Sequence, residues 1–162
     1  MTVQERAEKI YETERAAVYT YLLYFGLPAA RAQELAQDAF LAMYRRMLKG
    51  GEIENPRAWL YRVAHNLAMR SHVREPKFDE LSEMMEPADL QPDPERSLIE
   101  KSRKAALRQA VRGLSPQQKN CLYLRVQGLR YREIGEAIGI STSAVGEFLR
   151  RAAVRLKEVM NA

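Results

Sequence analysis

Four prolines between positions 76 and 94, Pro76, Pro87, Pro92 and Pro94, limit what this chain can fold into more than any other feature. Proline fixes φ and carries no backbone donor, so no helix or strand runs through a stretch of this density. Residues 76–95 also hold seven acidic side chains against one lysine. Such a run has too little apolar surface to fold alone. It therefore reads as a flexible acidic linker between two small modules, 1–75 and 96–162, with room for a helical turn around Leu81 to Met85. Fully extended, its 20 residues reach roughly 66 Å, so the modules could grip well-separated sites on one partner.

Charge divides the same way. The formal net charge of +5 resolves into +2 over residues 1–75, −6 over 76–95 and +9 over 96–162. This is the asymmetry expected of modules with different electrostatic tasks, although solvated charged faces would also produce it. With 46% hydrophobic and 29% charged residues the composition is that of a soluble globular chain. The longest uncharged run, Ala16 to Ala30, is broken by Gly26 and Pro28 and is too short to span a bilayer. Residues 1–15 lack an apolar core behind a basic start, so no secretory signal and a cytoplasmic location are expected. A single cysteine, Cys121, excludes an internal disulfide and any Cys-pair zinc site.

Apolar residues recur at three and four, with no sustained period-two alternation, which predicts an all-α chain. The spacing predicts helices near 3–25, 29–48, 56–74, 95–112, 116–127, 131–138 and 142–160. Asn55-Pro56 and Ser115-Pro116 each supply an N-cap followed by a first-turn proline.

In the first module, the second helix buries Leu35, Ala39, Met43 and Met47 and turns Glu34, Gln37, Asp38, Leu41 and Arg45 outward. An exposed leucine amid two carboxylates suits either a solvated face or a basic partner surface. The third helix has an inner stripe of Leu60, Val63, Ala64, Leu67 and Ser71. Its other face carries Arg62, His65, Asn66 and Met69, flanked by Trp59 and Arg70. A flat ring beside cations and amides makes a platform for unpaired bases. The loop from Lys49 to Arg57, with Gly50, Gly51 and Asn55, lies just before it and allows close backbone approach to a ligand. A plain core role for Trp59 also stays open here. His65 and His72 lie two turns apart, about 10 Å along a helix, and cannot share one ion. No metal is expected.

The second module carries the strongest signal, a helix-turn-helix over 131–152. Ile134 and Ile138 face inward, Gly139 makes the turn, Ile140 plugs the core, and Ser141 or Thr142 caps a second helix with Val145, Leu149, Ala152 and Leu156 inside. Such a motif places the start of its second helix in the DNA major groove. The candidate DNA contacts are Arg132, Ser141, Thr142, Ser143, Gly146, Glu147, Arg150, Arg151 and Arg155. Arginine can bridge guanine O6 and N7, and glutamate can accept from cytosine N4.

Residues 32–47 (AQELAQDAFLAMYRRM), 55–74 (NPRAWLYRVAHNLAMRSHVR) and 114–157, in that order around an acidic linker, resemble an extracytoplasmic-function sigma factor of the sigma-70 family. That is a two-domain bacterial transcription initiation factor. The resemblance implies sigma domain 2, a bundle of three to four helices, over 1–75 and sigma domain 4 over 96–162. It implies docking of Glu34, Gln37, Asp38 and Leu41 on the clamp helices of the largest polymerase subunit. It further implies −10 strand capture by Lys49, Asn55, Trp59, Arg62, His65, Asn66, Met69 and Arg70. The −35 duplex would be read by the second module, which also touches the polymerase flap, while the linker follows the RNA exit channel. The implied partners are core RNA polymerase, promoter DNA and an anti-sigma factor, with a monomer when free and no membrane insertion. The chain departs from the family's usual Thr-Val-Lys-Ser-Arg-Leu at Ala144-Val145-Gly146-Glu147-Phe148-Leu149, and His65 stands where arginine is common.

No phosphate-binding glycine loop with lysine and no His-Glu-x-x-His is present, so neither an enzyme nor a cofactor is expected. Two other readings remain. A stand-alone helix-turn-helix regulator with a sensor or dimerisation domain would bind palindromic DNA as a dimer without polymerase. A helical interaction protein that mimics a sigma factor and sequesters its regulator would bind neither core polymerase nor duplex DNA.

Overall fold

The computed structural model describes residues 1–71 and 94–161, with side chains from Leu98 onward in the second part. The expected linker falls almost wholly outside the described residues. Those residues form seven helices and no strand: α1 Val3–Tyr24, α2 Ala29–Leu48, α3 Pro56–Arg70, α4 Pro94–Arg112, α5 Pro116–Val126, α6 Tyr131–Ile138 and α7 Thr142–Met160. The expected fold class holds, as do most helix limits. The third helix is shorter than expected, because Ser71 already turns extended (φ −77°, ψ 139°).

The caps explain the limits. Asn55 accepts a hydrogen bond from the Ala58 amide at 3.2 Å, and Pro56 fills the first turn where no donor is missed. Ser115 accepts from the Gln118 amide at 3.2 Å while Gln118 accepts from the Ser115 amide at 2.9 Å, a reciprocal capping box. Ser141, rather than Thr142, caps α7, accepting from the Ala144 amide at 3.1 Å.

Helices α1, α2 and α3 pack on one another around Val18, Leu22, Ala32, Leu35, Ala39, Met43 and Leu60. In the second half α7 packs on α4, α5 and α6. The helix-turn-helix closes through Gly139 in the left-handed region (φ 78°). Gly135 allows the tight crossing: a methyl on its Cα would lie 2.6 Å from the Ile140 carbonyl oxygen. That oxygen belongs to the backbone and cannot swing away. Gly135→Ala is therefore expected to destabilise the chain by about 2 kcal/mol, the scale of an overpacked core. The urea midpoint measures this, and an unchanged midpoint would show that the α6–α7 turn yields.

The two halves share one hydrophobic core. It runs from the α1–α3 residues through Cys121, Tyr123, Leu124, Leu129, Ile134, Ala137 and Val145. Helix α3 packs on α6 to join them. At the junction Tyr21, fully buried, stands edge-on to Phe25 (5.2 Å between ring centroids) and Tyr61 (5.5 Å) and stacks on Tyr123 (5.5 Å). The Tyr123 hydroxyl donates to the Ala17 carbonyl at 2.8 Å. Arg57 on α3 pairs with Glu14 on α1 at 3.3 Å.

Candidate nucleic-acid interface

Helix α2 turns Glu34, Gln37, Asp38 and Leu41 to solvent on one face, with Leu41 47% exposed. The face is less purely acidic than the sequence spacing suggests. Arg31, one turn earlier, pairs with Glu34 at 3.0 Å and leaves Asp38 as the carboxylate nearest the exposed leucine. Beside it Phe40 meets Tyr11 edge-on at 5.0 Å between ring centroids, and the two line a shallow apolar groove with Gln37 and Leu41.

On α3 the structure brings together most of the expected base platform. Arg62, Asn66, Met69 and Arg70 are exposed, Trp59 is half-buried, and Lys49 is exposed at the end of α2. His65 does not join them. The buried stripe of α3 is Leu60, Tyr61, Ala64, His65 and Ala68, rotated from the expected one, which leaves Val63 and Leu67 only half-buried. His65 is turned inward and packs edge-on to Phe25, with ring centroids 5.2 Å apart. The Tyr21 hydroxyl lies 3.0 Å from its Nδ1. Burial raises the Tyr21 pKa, so the hydroxyl keeps its proton, and the imidazole tautomer sets which of the two groups donates. Burial lowers the His65 pKa from 6.5 to about 4.

The second module covers part of this platform. A cleft of about 730 Å³ runs between the 52–55 loop with the start of α3 and the segment Gly128–Glu136. Asn55, Trp59 and Arg62 line one wall, and Arg130, Arg132, Glu133 and Glu136 the other. The Asn55 amide donates to the Glu133 carboxylate, whose other oxygen accepts from the Arg130 amide at 2.7 Å. Arg132 pairs with Glu136 at 3.8 Å and lines this cleft. Arg46 and Arg130, which sequence reasoning did not single out, also line it. Their only signal was their charge, on the N-cap residue of α6 and in the last turn of α2.

The recognition helix carries the rest. Ser141, Thr142, Ser143, Arg150 and Arg151 are exposed, and Gly146 and Glu147 are partly so. A methyl on Gly146 would sit 3.7 Å from the Tyr131 ring, an ordinary contact, so packing does not demand glycine there. Hydrogen bonds from Arg150 and then Arg151 hold the Glu147 carboxyl down to about 2. Arg155 is exposed, with its guanidinium over Gly113 at the end of α4. Among the described residues no cluster of His, Cys, Asp and Glu could hold a metal ion, and no helix is long and apolar enough to cross a membrane.

Comparison with known proteins assigns both halves. The family model for sigma-70 region 2 matches residues 10–77, and that for sigma-70 region 4 matches residues 104–156. The chain is 31% identical over 160 residues to the ECF RNA polymerase sigma factor BldN of Streptomyces coelicolor, covering 94% of this chain and 59% of BldN. It is 30% identical over 164 residues to the RNA polymerase sigma factor YlaC of Bacillus subtilis, covering 99% of this chain and 95% of YlaC. The fold is similar to that of the sigma factor RpoE solved with the anti-sigma factor NepR from Bartonella quintana, with TM-score 0.63, 17% identity and 96% of each chain covered. It is also similar to CnrH solved with the cytosolic domain of CnrY, with TM-score 0.58, 21% identity and 98% and 89% of the two chains covered. At these identities the two structures speak for the fold alone.

Proposed function

The chain belongs to the sigma-70 family of RNA polymerase sigma factors, of the extracytoplasmic-function type, and from that premise we propose how its surfaces divide the work of initiation. Residues 1–75 serve as the core-binding and −10 module, 76–95 as the linker, and 96–162 as the −35 module. Glu34, Gln37, Asp38 and Leu41 dock on the clamp helices of core polymerase. Trp59, Arg62, Asn66, Met69 and Arg70, with Lys49 and Asn55, take the melted −10 strand. The exposed face of α7 reads the −35 duplex. The chain makes and breaks no bonds itself and acts in the cytoplasm with the polymerase, under the control of an anti-sigma protein.

One observation carries this reading: an exposed leucine-and-carboxylate face, an aromatic and cationic platform, and a recognition helix occur in one chain, on separate helices. The stand-alone regulator finds no support, since region 2 and region 4 models both match. The platform and the helix-turn-helix share a cleft in this closed arrangement. Promoter capture therefore requires the modules to part, and core polymerase supplies the two sites that hold them apart.

Asp38→Arg tests the docking face. The residue is exposed, so the fold should be unaffected, while reversing its charge against a basic partner should weaken core binding about tenfold or more. Titration of labelled chain with core polymerase measures it. Equal affinity for the variant and the parent would remove Asp38 from the interface.

A further inference from the structure

The outer face of α7 contains a side-chain arrangement that the general reading of a recognition helix does not explain. Thr142, Ser143, Gly146, Glu147 and Arg150 fall at helical spacing along one face, with Arg151 beside them. Within this face Glu147 is fully engaged. One carboxylate oxygen accepts from the Arg150 Nη2 at 2.7 Å and from the Arg151 Nε at 2.9 Å. The other accepts from the Arg150 Nε at 3.1 Å. The Nε–Nη2 edge of Arg150 is thus closed in a two-point fork, the strongest and most directional form of this contact.

We propose that Glu147 is a positioning residue for the recognition arginines, which fixes Arg150 so that its free terminal edge reads a guanine of the −35 duplex, and that Glu147 does not itself read a cytosine. The inference rests on the assignment of α7 to −35 recognition and deepens it. A guanidinium has five N–H donors in one plane. With Nε and one Nη2 hydrogen committed to Glu147, the parallel pair left on Nη1 and Nη2 matches the spacing of guanine O6 and N7. Holding that plane in advance removes the freedom a long side chain would otherwise lose on binding.

Two further features agree. Gly146, one turn before Arg150 on the same face, has no side chain to compete for the groove. Glu147 also offsets part of the arginines' charge, which lowers attraction to any phosphate backbone while leaving the directional contact intact. The arrangement favours discrimination over raw affinity.

The test uses the full chain assembled with core polymerase and a set of promoters carrying each single base-pair change in the −35 element, with occupancy as the readout. Arg150→Ala should abolish a preference of about tenfold for guanine at one base pair. Glu147→Ala should weaken the preference at that same base pair several-fold. It should also tighten binding to non-promoter duplex and steepen its salt dependence, because one anion has left the face. Glu147→Gln, whose single carbonyl can serve one guanidinium, should fall between. The double variant should discriminate no worse than Arg150→Ala alone, the non-additivity of residues acting as a unit. A Glu147→Ala effect at a different base pair, additive with Arg150→Ala, would identify Glu147 as a base reader and overturn the inference. So would Glu147→Ala with discrimination unchanged. If the parent holoenzyme opens promoters with no −35 preference at all, the assignment of α7 fails first and the inference falls with it.

Discussion

Tyr123→Ala is expected to part the two modules while leaving each of them helical. Tyr123 is 3% exposed, stacks on Tyr21, meets Tyr24 at 5.5 Å between ring centroids, and donates its hydroxyl to the Ala17 carbonyl. All of these contacts cross from α5 to α1. Loss of a buried aromatic side chain costs about 3–5 kcal/mol, and here that cost falls on the junction rather than on either bundle's own interior. Cys121, two residues away and fully buried, is the only cysteine in the chain and reports on this region. Burial pushes its thiol up to about 11, so in the closed form it is both shielded and scarcely ionised. Its labelling by a thiol-reactive disulfide at pH 8 should accelerate about a hundredfold in Tyr123→Ala. Tyr123→Phe, which loses only the hydroxyl contact at about 1 kcal/mol, should accelerate it about fivefold. Far-UV circular dichroism should stay near that of the parent. Labelling at the parental rate would mean that the second module alone shields Cys121 and that Tyr123 does not hold the halves together. Opening has a functional consequence as well: Asn55, Trp59 and Arg62 leave the shared cleft, so the variant should bind a single-stranded −10 oligonucleotide more tightly without polymerase.

The parts of this fold that were legible in the sequence are those set by neighbours in the chain. Thr2, Asn55, Ser115 and Ser141 cap helices through contacts no more than three residues away, so helix starts follow from residue type and spacing. The helix-turn-helix is legible for the same reason, since Gly135, Gly139 and Ile140 settle its geometry locally. What the sequence did not disclose is which surfaces meet. On α3 a period of 3.6 marks an apolar face but cannot say that the buried stripe is rotated toward Tyr61, His65 and Ala68. A signal was present on α5, where Cys121, Leu122, Tyr123 and Leu124 point in too many directions for a helix covered on one side. The tyrosines of α1 carried the same message, for Tyr21 and Tyr24 exceed what a three-helix core of this size requires. The Arg31–Glu34 pair, at ordinary helical spacing, is legible in the sequence.

His65 makes the folded chain sensitive to pH, in a direction fixed by its burial. The imidazole shares a hydrogen bond with the Tyr21 hydroxyl, and burial lowers its pKa in the folded chain to about 4 against 6.5 for an exposed histidine. Above pH 6.5 both folded and unfolded chains carry it neutral, so its contribution is complete. As pH falls below 6.5 the unfolded chain takes up a proton that the folded chain refuses until about pH 4, and stability is lost across that window. The difference corresponds to about 3 kcal/mol at its lower end. Urea unfolding at pH 7.5, 5.5 and 4.5 measures the loss, and His65→Gln isolates it. Glutamine offers the Tyr21 hydroxyl either an acceptor or a donor but does not titrate, so the variant should retain only the slope due to the other titrating groups. Equal pH slopes for parent and variant would show that His65 does not titrate differently on folding. His65→Arg extends the test to function. A permanent cation cannot sit between Tyr21 and Phe25 without a counter-charge. That substitution should drive α3 outward, expose Cys121 to labelling, and return position 65 to the cationic face of α3 along which the −10 strand is expected to bind. The variant is therefore expected to lose stability and to bind a single-stranded −10 oligonucleotide more tightly, and unchanged oligonucleotide binding would leave position 65 out of the strand path.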